Sequence, residues 1–361
     1  MTARSLIAGA IALMMCGAAT YAETPKKKEL TTKAARRAFI RQAQVWAPTP
    51  VAAMDLRAGP QGVGSFEPDA AVACDYLHRK LSGTTRKFEC RVSKNDGVKV
   101  RYGDDNGKVQ GAVIASRLLW ALGFGADGLY PVRVTCRGCS SDPWNDHDWT
   151  PGTRLFDPAT IERKPKGHEM NSENQGGWAW PELDQVNEQR GGAPRAQRDA
   201  LKLLAIFMQH TDNKLQQERL LCLPKGRTGG GVCEKPFMML HDVGLTFGQA
   251  NVFNRTSVGS VNLYEWSASP IWRDGDGCVG RMSQSMTGTL GDPKISEAGR
   301  QFLADLLVQL TDRQLHDLFE VARVDLRSRR PGSGEPPASV DEWVAAFKQK
   351  REEIVTKRCT V

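Results

Sequence analysis

The sequence predicts an α+β fold in which a strand-rich half precedes a helix-rich half, with disulfides stabilising both. Segments of alternating apolar and polar residues, typical of half-buried strands, concentrate in residues 70–102 and 130–164. Apolar residues at helical spacing recur from Asp199 onward. Of the nine cysteines, Cys16 lies in an apolar N-terminal run, and the remaining even number indicates disulfides if the chain is exported.

Residues 1–22 have the features of a signal peptide. Arg4 precedes an apolar run from Leu6 to Ala19, and small residues surround an expected cleavage site after Ala22. No other run is long enough to span a bilayer. We therefore predict an exported, periplasmic or secreted protein of bacterial type, with no transmembrane segment in the mature chain.

Residues 23–58 are predicted to be a lead-in segment with one helix, which ends before Pro48. The formal net charge of the chain is +8, and much of it lies in Lys26-Lys27-Lys28 and Arg36-Arg37. This charge could attract an anionic membrane or substrate, but a solvated chain start is the more ordinary explanation. We predict no nucleic-acid partner.

The strand-rich half is predicted over residues 59–185. Its clearest element is a hairpin, in which two alternating segments, 87–92 and 98–102, flank the turn Asn95-Asp96-Gly97. Lys99 and Arg101 share one face of the second strand. Either side chain can meet phosphates if that face lines a cleft, and otherwise the pair forms an exposed basic face.

Small polar residues lie just before this hairpin. Ser82, Gly83 and Thr84 are in position to cover a nucleotide. A helix from Val109 to Phe124 follows the hairpin, and a Trp-rich insertion is predicted over residues 140–158.

The helix-rich half, residues 186–361, begins with the segment that carries the most chemistry. A buried helix ends in the polar cluster His210-Thr211-Asp212-Asn213-Lys214, and a short apolar strand then ends in His241-Asp242-Val243-Gly244. One aspartate can orient or deprotonate a hydroxyl, and a second at a strand end can hold a metal on phosphates. This is the layout of a phosphotransferase site.

The cysteines suggest three disulfides. Cys222 and Cys233 close a Gly-rich loop, and Cys74 with Cys90 is a plausible second pair. Cys136-Arg137-Gly138-Cys139 can be a tight structural disulfide, a redox dithiol or half of a zinc site. Because neither a second C-x-x-C nor a thioredoxin-like context is present, the structural disulfide is the leading interpretation.

Taken together, these segments resemble the two-lobed protein-kinase-like fold, with a strand-rich N-lobe and a helical C-lobe. The atypical members are the most similar, namely the phosphatidylinositol 3- and 4-kinases, bacterial toxin kinases and secretory-pathway kinases. Residues 98–105 look like the lysine strand and Gly-Asp-Asp turn of the lipid kinases. Residues 210–214 look like a catalytic loop, and residues 240–248 look like the Asp-Phe-Gly metal segment.

The resemblance implies roles for individual residues. Asp212 would be the catalytic aspartate and Asp242 would hold Mg²⁺ on the phosphates of ATP. Gln217 stands where the family has a metal-binding Asn. Lys99 has the chemistry of the phosphate lysine, although alignment on Gly-Asp-Asp places Arg101 there.

The chain also departs from the family pattern. The helix after the lysine strand normally supplies a Glu that fixes the lysine, but residues 109–126 contain no Asp or Glu. Either Asp104, Asp105 or Glu162 takes that role, or the site is degenerate.

Three functional hypotheses follow. The first is an exported ATP- and Mg²⁺-dependent phosphotransferase with an unknown protein, glycan or lipid acceptor, and a nucleotidyl transferase would use the same residues. The second is a pseudokinase that acts as a disulfide-stabilised binding protein through its Trp-rich surfaces. The third is a thiol–disulfide protein acting through Cys136 and Cys139.

Overall fold

The computed structural model describes residues 31–145, 149–172, 175–224, 226–227, 232–251, 253–254, 259–273, 275, 277–282 and 288–359. The predicted signal peptide, residues 1–22, lies outside these residues. Across the described part of the chain, no helix combines the length and apolar character needed to cross a membrane. The predicted mixture of a strand-rich part and a helical part is confirmed.

The strand-rich part is a closed five-stranded barrel. Its strands are β1 (Ala70–Leu77), β2 (Lys87–Ser93), β3 (Asp96–Tyr102), β4 (Gly128–Cys139) and β5 (Gly152–Arg163). Their order around the barrel is β1-β2-β3-β5-β4. All neighbours are antiparallel except β1 and β4, whose parallel pairing closes the barrel. Apolar side chains that alternate along each strand fill the interior.

Helix α2 (Lys108–Ala121) connects β3 to β4 and is buried on nearly every side. Its sequence is apolar around most of its circumference, which is typical of a helix inside a core. The start of α2 is tightly packed, because a Cβ added at Gly111 would lie 2.6 Å from the carbonyl oxygen of Gly244. The helix therefore fixes the segment after Asp242 against the barrel.

The remaining elements form the helical part and a small sheet. The sheet is antiparallel and contains β6 (His168–Glu169), β7 (Glu218–Cys222) and β8 (Pro236–Leu240). The helices besides α2 are α1 (Lys33–Gln42), α3 (Arg195–Phe207), α4 (Leu263–Ala268), α5 (Glu297–Leu307), α6 (Asp312–Val321) and α7 (Val340–Thr356). Their core includes four fully buried tryptophans, Trp178, Trp180, Trp266 and Trp343. Trp178 and Trp180, which lie between the barrel strands and α3 in the sequence, therefore serve packing.

Two elements differ from the sequence prediction. Helix α4 was not predicted, because its six residues are too few to show helical periodicity. Asn262 caps it by accepting a hydrogen bond from the backbone N–H of Glu265. Strand β5 begins at Gly152, so the connection after β4 covers only residues 140–151. The first residues of β5 are polar and exposed, which hid the strand from an apolar pattern.

The described residues contain four disulfides. Three are the predicted pairs Cys74–Cys90, Cys136–Cys139 and Cys222–Cys233. The fourth, Cys278–Cys359, joins cysteines 81 residues apart. No local spacing signal identifies such a distant pair.

Candidate functional site

A cleft of about 470 Å³ lies between the barrel and the helical part. It is bounded by the loop between β1 and β2, by β3, by the start of α2 and by the segments that follow α3 and β8. The eight predicted residues with catalytic, phosphate-binding or metal-binding roles all line it: Ser82, Gly83, Thr84, Lys99, Arg101, Asp212, Gln217 and Asp242. The fold thus brings together residues that are up to 160 positions apart in the sequence (242 minus 82).

Asp212 follows α3 in a loop that is held firmly. Both of its carboxylate oxygens are engaged, because Lys214 Nζ lies 2.6 Å from Oδ1 and Gln217 Nε2 donates to Oδ2 at 2.9 Å. Asn213 anchors the loop by donating to the carbonyl oxygen of His210 and accepting from the backbone N–H of Leu290. The carboxylate is therefore oriented at the cleft surface, with 12% of its side chain exposed.

Asp242 follows β8 in an unusual backbone conformation, with φ at 49°. This left-handed conformation is uncommon for a residue other than glycine and is concentrated at functional sites. The next turn packs closely on α2, because a Cβ at Gly244 would lie 2.9 Å from Lys108 Cγ. Glycine at position 244 therefore permits the approach that places Asp242 beside the start of α2.

Two cations bind the Asp242 carboxylate. Arg101 Nη2 lies 3.1 Å from Oδ1, and Lys108 Nζ lies 3.1 Å from both oxygens. Burial acts to raise the pKa of Asp242, but the charges of Arg101 and Lys108 hold that pKa well below its usual value. The group is therefore an anion throughout the physiological pH range.

Glu162 on β5 supplies the carboxylate that the helix lacks. It lies opposite Lys99 in the β3–β5 register, accepts from Lys99 Nζ at 2.6 Å through Oε1, and accepts from Arg101 Nη2 at 2.6 Å through Oε2. Asp105, one of the alternatives, pairs instead with Arg86 at 3.0 Å on the surface. The carboxylate that contacts Lys99 and Arg101 thus comes from a neighbouring strand and not from α2.

Lys108 and Lys87 are cleft residues that sequence reasoning missed. Lys108 is the first residue of α2, a position that is usually solvated, yet it is 5% exposed. Lys87 stands at a polar position in the alternating pattern of β2, and this pattern predicts an outward, solvated side chain. The residue is nevertheless only 9% exposed. A sequence signal for Lys108 is its place shortly after the Gly-Asp-Asp turn, with Asn106 and Gly107 between them.

The residues predicted to hold Mg²⁺ fit that ion in donor chemistry. Asp242 offers a carboxylate, and Gln217 offers its Oε1 atom. This oxygen takes no part in the hydrogen bond that Gln217 Nε2 donates to Asp212. Oxygen donors of this kind are what Mg²⁺ prefers. Arg101 and Lys108 share the same carboxylate, so the ion would have to take part of it from these cations.

A buried pair lies directly behind the loop that carries Asp212. His210 Nε2 is 3.6 Å from Glu218 Oε1, which also accepts from Trp180 Nε1 at 3.2 Å. Burial lowers the pKa of His210 to about 4 and raises the pKa of Glu218 well above its usual value. At neutral pH His210 is therefore uncharged, and burial favours the protonated, uncharged form of Glu218.

We expect Glu218→Gln to stabilise the protein at pH 8. The pKa of Glu218 is raised in the folded state. The contribution of this group to stability is therefore complete at pH values below its unfolded pKa, and it is lost as the pH rises. Glutamine keeps the shape of the Glu218 side chain but does not titrate. Thermal melts from pH 4 to pH 8 should show a melting-temperature gain that grows with pH. The exposed control Glu335→Gln should show none, and a gain independent of pH would contradict the assignment.

Comparisons with solved structures identify a structural likeness. No family model and no curated protein matches the chain. Among solved structures, the proinflammatory kinase CtkA of Helicobacter pylori is similar, with a TM-score of 0.41 and 10% sequence identity. The likeness covers 80% of this chain and 95% of that one. A likeness at this level does not define the activity of this chain, and the side chains of the cleft carry the functional inference.

Proposed function

We propose that the protein is an ATP- and Mg²⁺-dependent phosphotransferase with a two-lobed, kinase-like architecture. One observation carries the proposal. Asp212 and Asp242, which come from separate segments, line a single cleft together with the small residues Ser82, Gly83 and Thr84. A deprotonating carboxylate, a metal-binding carboxylate and a phosphate-covering loop are the recurring parts of phosphoryl transfer sites.

In the proposed reaction, a hydroxyl of the acceptor attacks the terminal phosphorus of ATP in line with the leaving group. The new bond joins the hydroxyl oxygen to phosphorus, and the bond between that phosphorus and the bridging oxygen of ADP breaks. Asp212 accepts the hydroxyl proton, and Lys214 and Gln217 hold the carboxylate in one orientation. The acceptor is a protein, a glycan or a lipid.

Asp242 and Gln217 would hold Mg²⁺ in this site. The bound ion supplies positive charge to the phosphate oxygens as negative charge develops on the leaving group. A nucleotidyl transferase would need the same groups, so the two transfers differ in which phosphorus is attacked.

An exported location is part of the proposal. The four disulfides are compatible with an extracytoplasmic compartment, where such bonds persist. The predicted signal peptide supports the same location.

One observation favours the second candidate, a pseudokinase that binds a partner without catalysis. The Asp242 carboxylate already interacts with two buried cations, Arg101 and Lys108. A carboxylate neutralised in this way has less to gain from a metal ion.

Titration calorimetry separates these candidates. We expect the oxidised mature chain, residues 23–361, to bind ATP at least 10-fold more tightly with Mg²⁺ than without it. Asp242→Asn should remove this difference, because the amide carries no charge for the ion. The exposed Asp341→Asn on α7 is the matched control and should bind as the wild type does. Absence of binding up to millimolar ATP would favour the pseudokinase.

A further inference from the structure

The cations of the cleft differ in how they are paired. Among the described residues that line it, five are lysine or arginine: Lys87, Lys99, Arg101, Lys108 and Lys214. Four of them lie within 3.1 Å of a carboxylate. Lys99 and Arg101 bind Glu162, Arg101 and Lys108 bind Asp242, and Lys214 binds Asp212. Their charge is already matched inside the protein.

Lys87 is the exception. Within the part of the chain that the structure describes, its ammonium group has neither a hydrogen bond nor an ion pair, and its one close interaction is with the ring of Trp144, 4.6 Å from Nζ. Burial of a charge without an opposite charge is costly. An anionic group in the cleft would offset that cost.

The position of Nζ explains what kind of anion it can reach. A Cβ added at Gly83 would lie 2.9 Å from Lys87 Nζ, so the ammonium lies directly beneath the loop that covers the cleft. Lys87 also pairs with Arg101 in the β2–β3 register. Its side chain therefore projects between the covering loop and the floor of the cleft, where the phosphate chain of a nucleotide would lie.

The connection between β4 and β5 holds this lysine in place. Trp144 is fixed because its backbone N–H donates to Tyr102 Oη at 3.1 Å, and the Tyr102 hydroxyl also contacts Asp142. The indole face stabilises the ammonium by a cation–π interaction. Burial, aided by the nearby charges of Arg101, Lys108 and Lys99 and opposed by that of Asp242, lowers the pKa of Lys87 to about 8. The group is mostly protonated at pH 7.

We propose that Lys87 is a further residue that binds the phosphate chain of the substrate nucleotide, beside Lys99 or Arg101. Lys99 and Arg101 also hold Glu162 and, through Arg101, position Asp242. The inference rests on the proposed function, since it assigns a role within the same site. The proposal also assigns a function to the Trp-rich connection between β4 and β5, because Trp144 holds the phosphate-binding side chain in place.

Titration calorimetry of the mature chain with Mg·ATP and with inorganic tripolyphosphate tests the assignment. We expect Lys87→Met to weaken binding of both by about 10- to 100-fold, the effect of losing a hydrogen bond between charged groups. Lys87→Arg should retain most of the affinity. Lys94→Met, which removes an exposed lysine outside the cleft, should change affinity less than about 3-fold.

Amine labelling at pH 8 gives a second readout that a purely structural role would not change. Lys87 should react readily in the free protein because its pKa is about 8, and saturating Mg·ATP should protect it at least 10-fold. Equal affinity of the wild type and Lys87→Met, with matching thermal melts, would overturn the assignment. A wild type that binds neither ligand would instead overturn the proposed function, and binding of tripolyphosphate alone, lost in Lys87→Met, would support the lysine assignment without the nucleotide.

Discussion

Replacing Asp212 with asparagine is expected to lower the rate of phosphoryl transfer by about 10²- to 10⁴-fold, the range for a lost general base. Asparagine keeps the size of the side chain but cannot accept a proton from the acceptor hydroxyl. The Lys214 ammonium, 2.6 Å from the carboxylate in the wild type, also loses its ion pair. The measurement is the initial rate of terminal phosphate transfer from ATP, to the protein itself or to water.

The binding of Mg·ATP should distinguish a chemical role from a structural one. Since the proposed role of Asp212 concerns the acceptor and not the nucleotide, its loss should lower the rate without weakening nucleotide binding, and the affinity for Mg·ATP should change less than about 5-fold. Asp325→Asn, a substitution of an exposed aspartate outside the cleft, is the matched control and should keep the full rate. A wild-type rate in Asp212→Asn would rule out this aspartate as the base.

Replacing Glu162 with alanine is expected to destabilise the protein by about 3–5 kcal/mol, the usual cost of breaking a buried ion pair from one side. The loss leaves Lys99 without its carboxylate and leaves Arg101 with Asp242 alone. Urea denaturation of the oxidised protein at pH 7 measures the change in the free energy of unfolding. Glu89→Ala provides a control on β2, because its partner Arg79 is exposed and such surface pairs contribute about 0–1 kcal/mol.

Acid should reduce the effect of the Glu162 substitution. Burial acts to raise the pKa of Glu162, but Arg101 and Lys99 lower it to about 2. A depressed native pKa contributes stability that is complete above the unfolded pKa, about 4.3, and is lost as pH falls toward 2. The stability difference between wild type and Glu162→Ala should therefore narrow below pH 4, and a constant difference would contradict the ion-pair account.

The local parts of the candidate site could be predicted because each depends on neighbouring residues. The loop around Asp212 follows a buried helix, and Asp242 follows a buried strand, so short patterns identify both segments. The resemblance implies that the two segments belong to one site, and both Asp212 and Asp242 line the cleft.

Other features depend on contacts between distant segments. Parallel pairing of β1 with β4 closes the barrel, yet neither strand carries a sequence mark of its partner. Glu162 reaches Lys99 and Arg101 only through the β3–β5 register. The alternating pattern of β2 predicts a solvated Lys87. The residue that covers its side chain, Trp144, belongs to a connection 57 residues away (144 minus 87). Such pairings are set by the tertiary fold, which local periodicity does not contain.

The closed barrel also restricts how a partner can be recognised. Each of its five strands has a neighbour on both sides, so in the described residues unpaired backbone to which an extended peptide could add is confined to strand ends such as the first residues of β5. An acceptor that approaches this half of the molecule is therefore selected mainly by side chains and loops. Specificity on this face is then open to change by single substitutions in the loops around the cleft, without any change in the sheet that supports them.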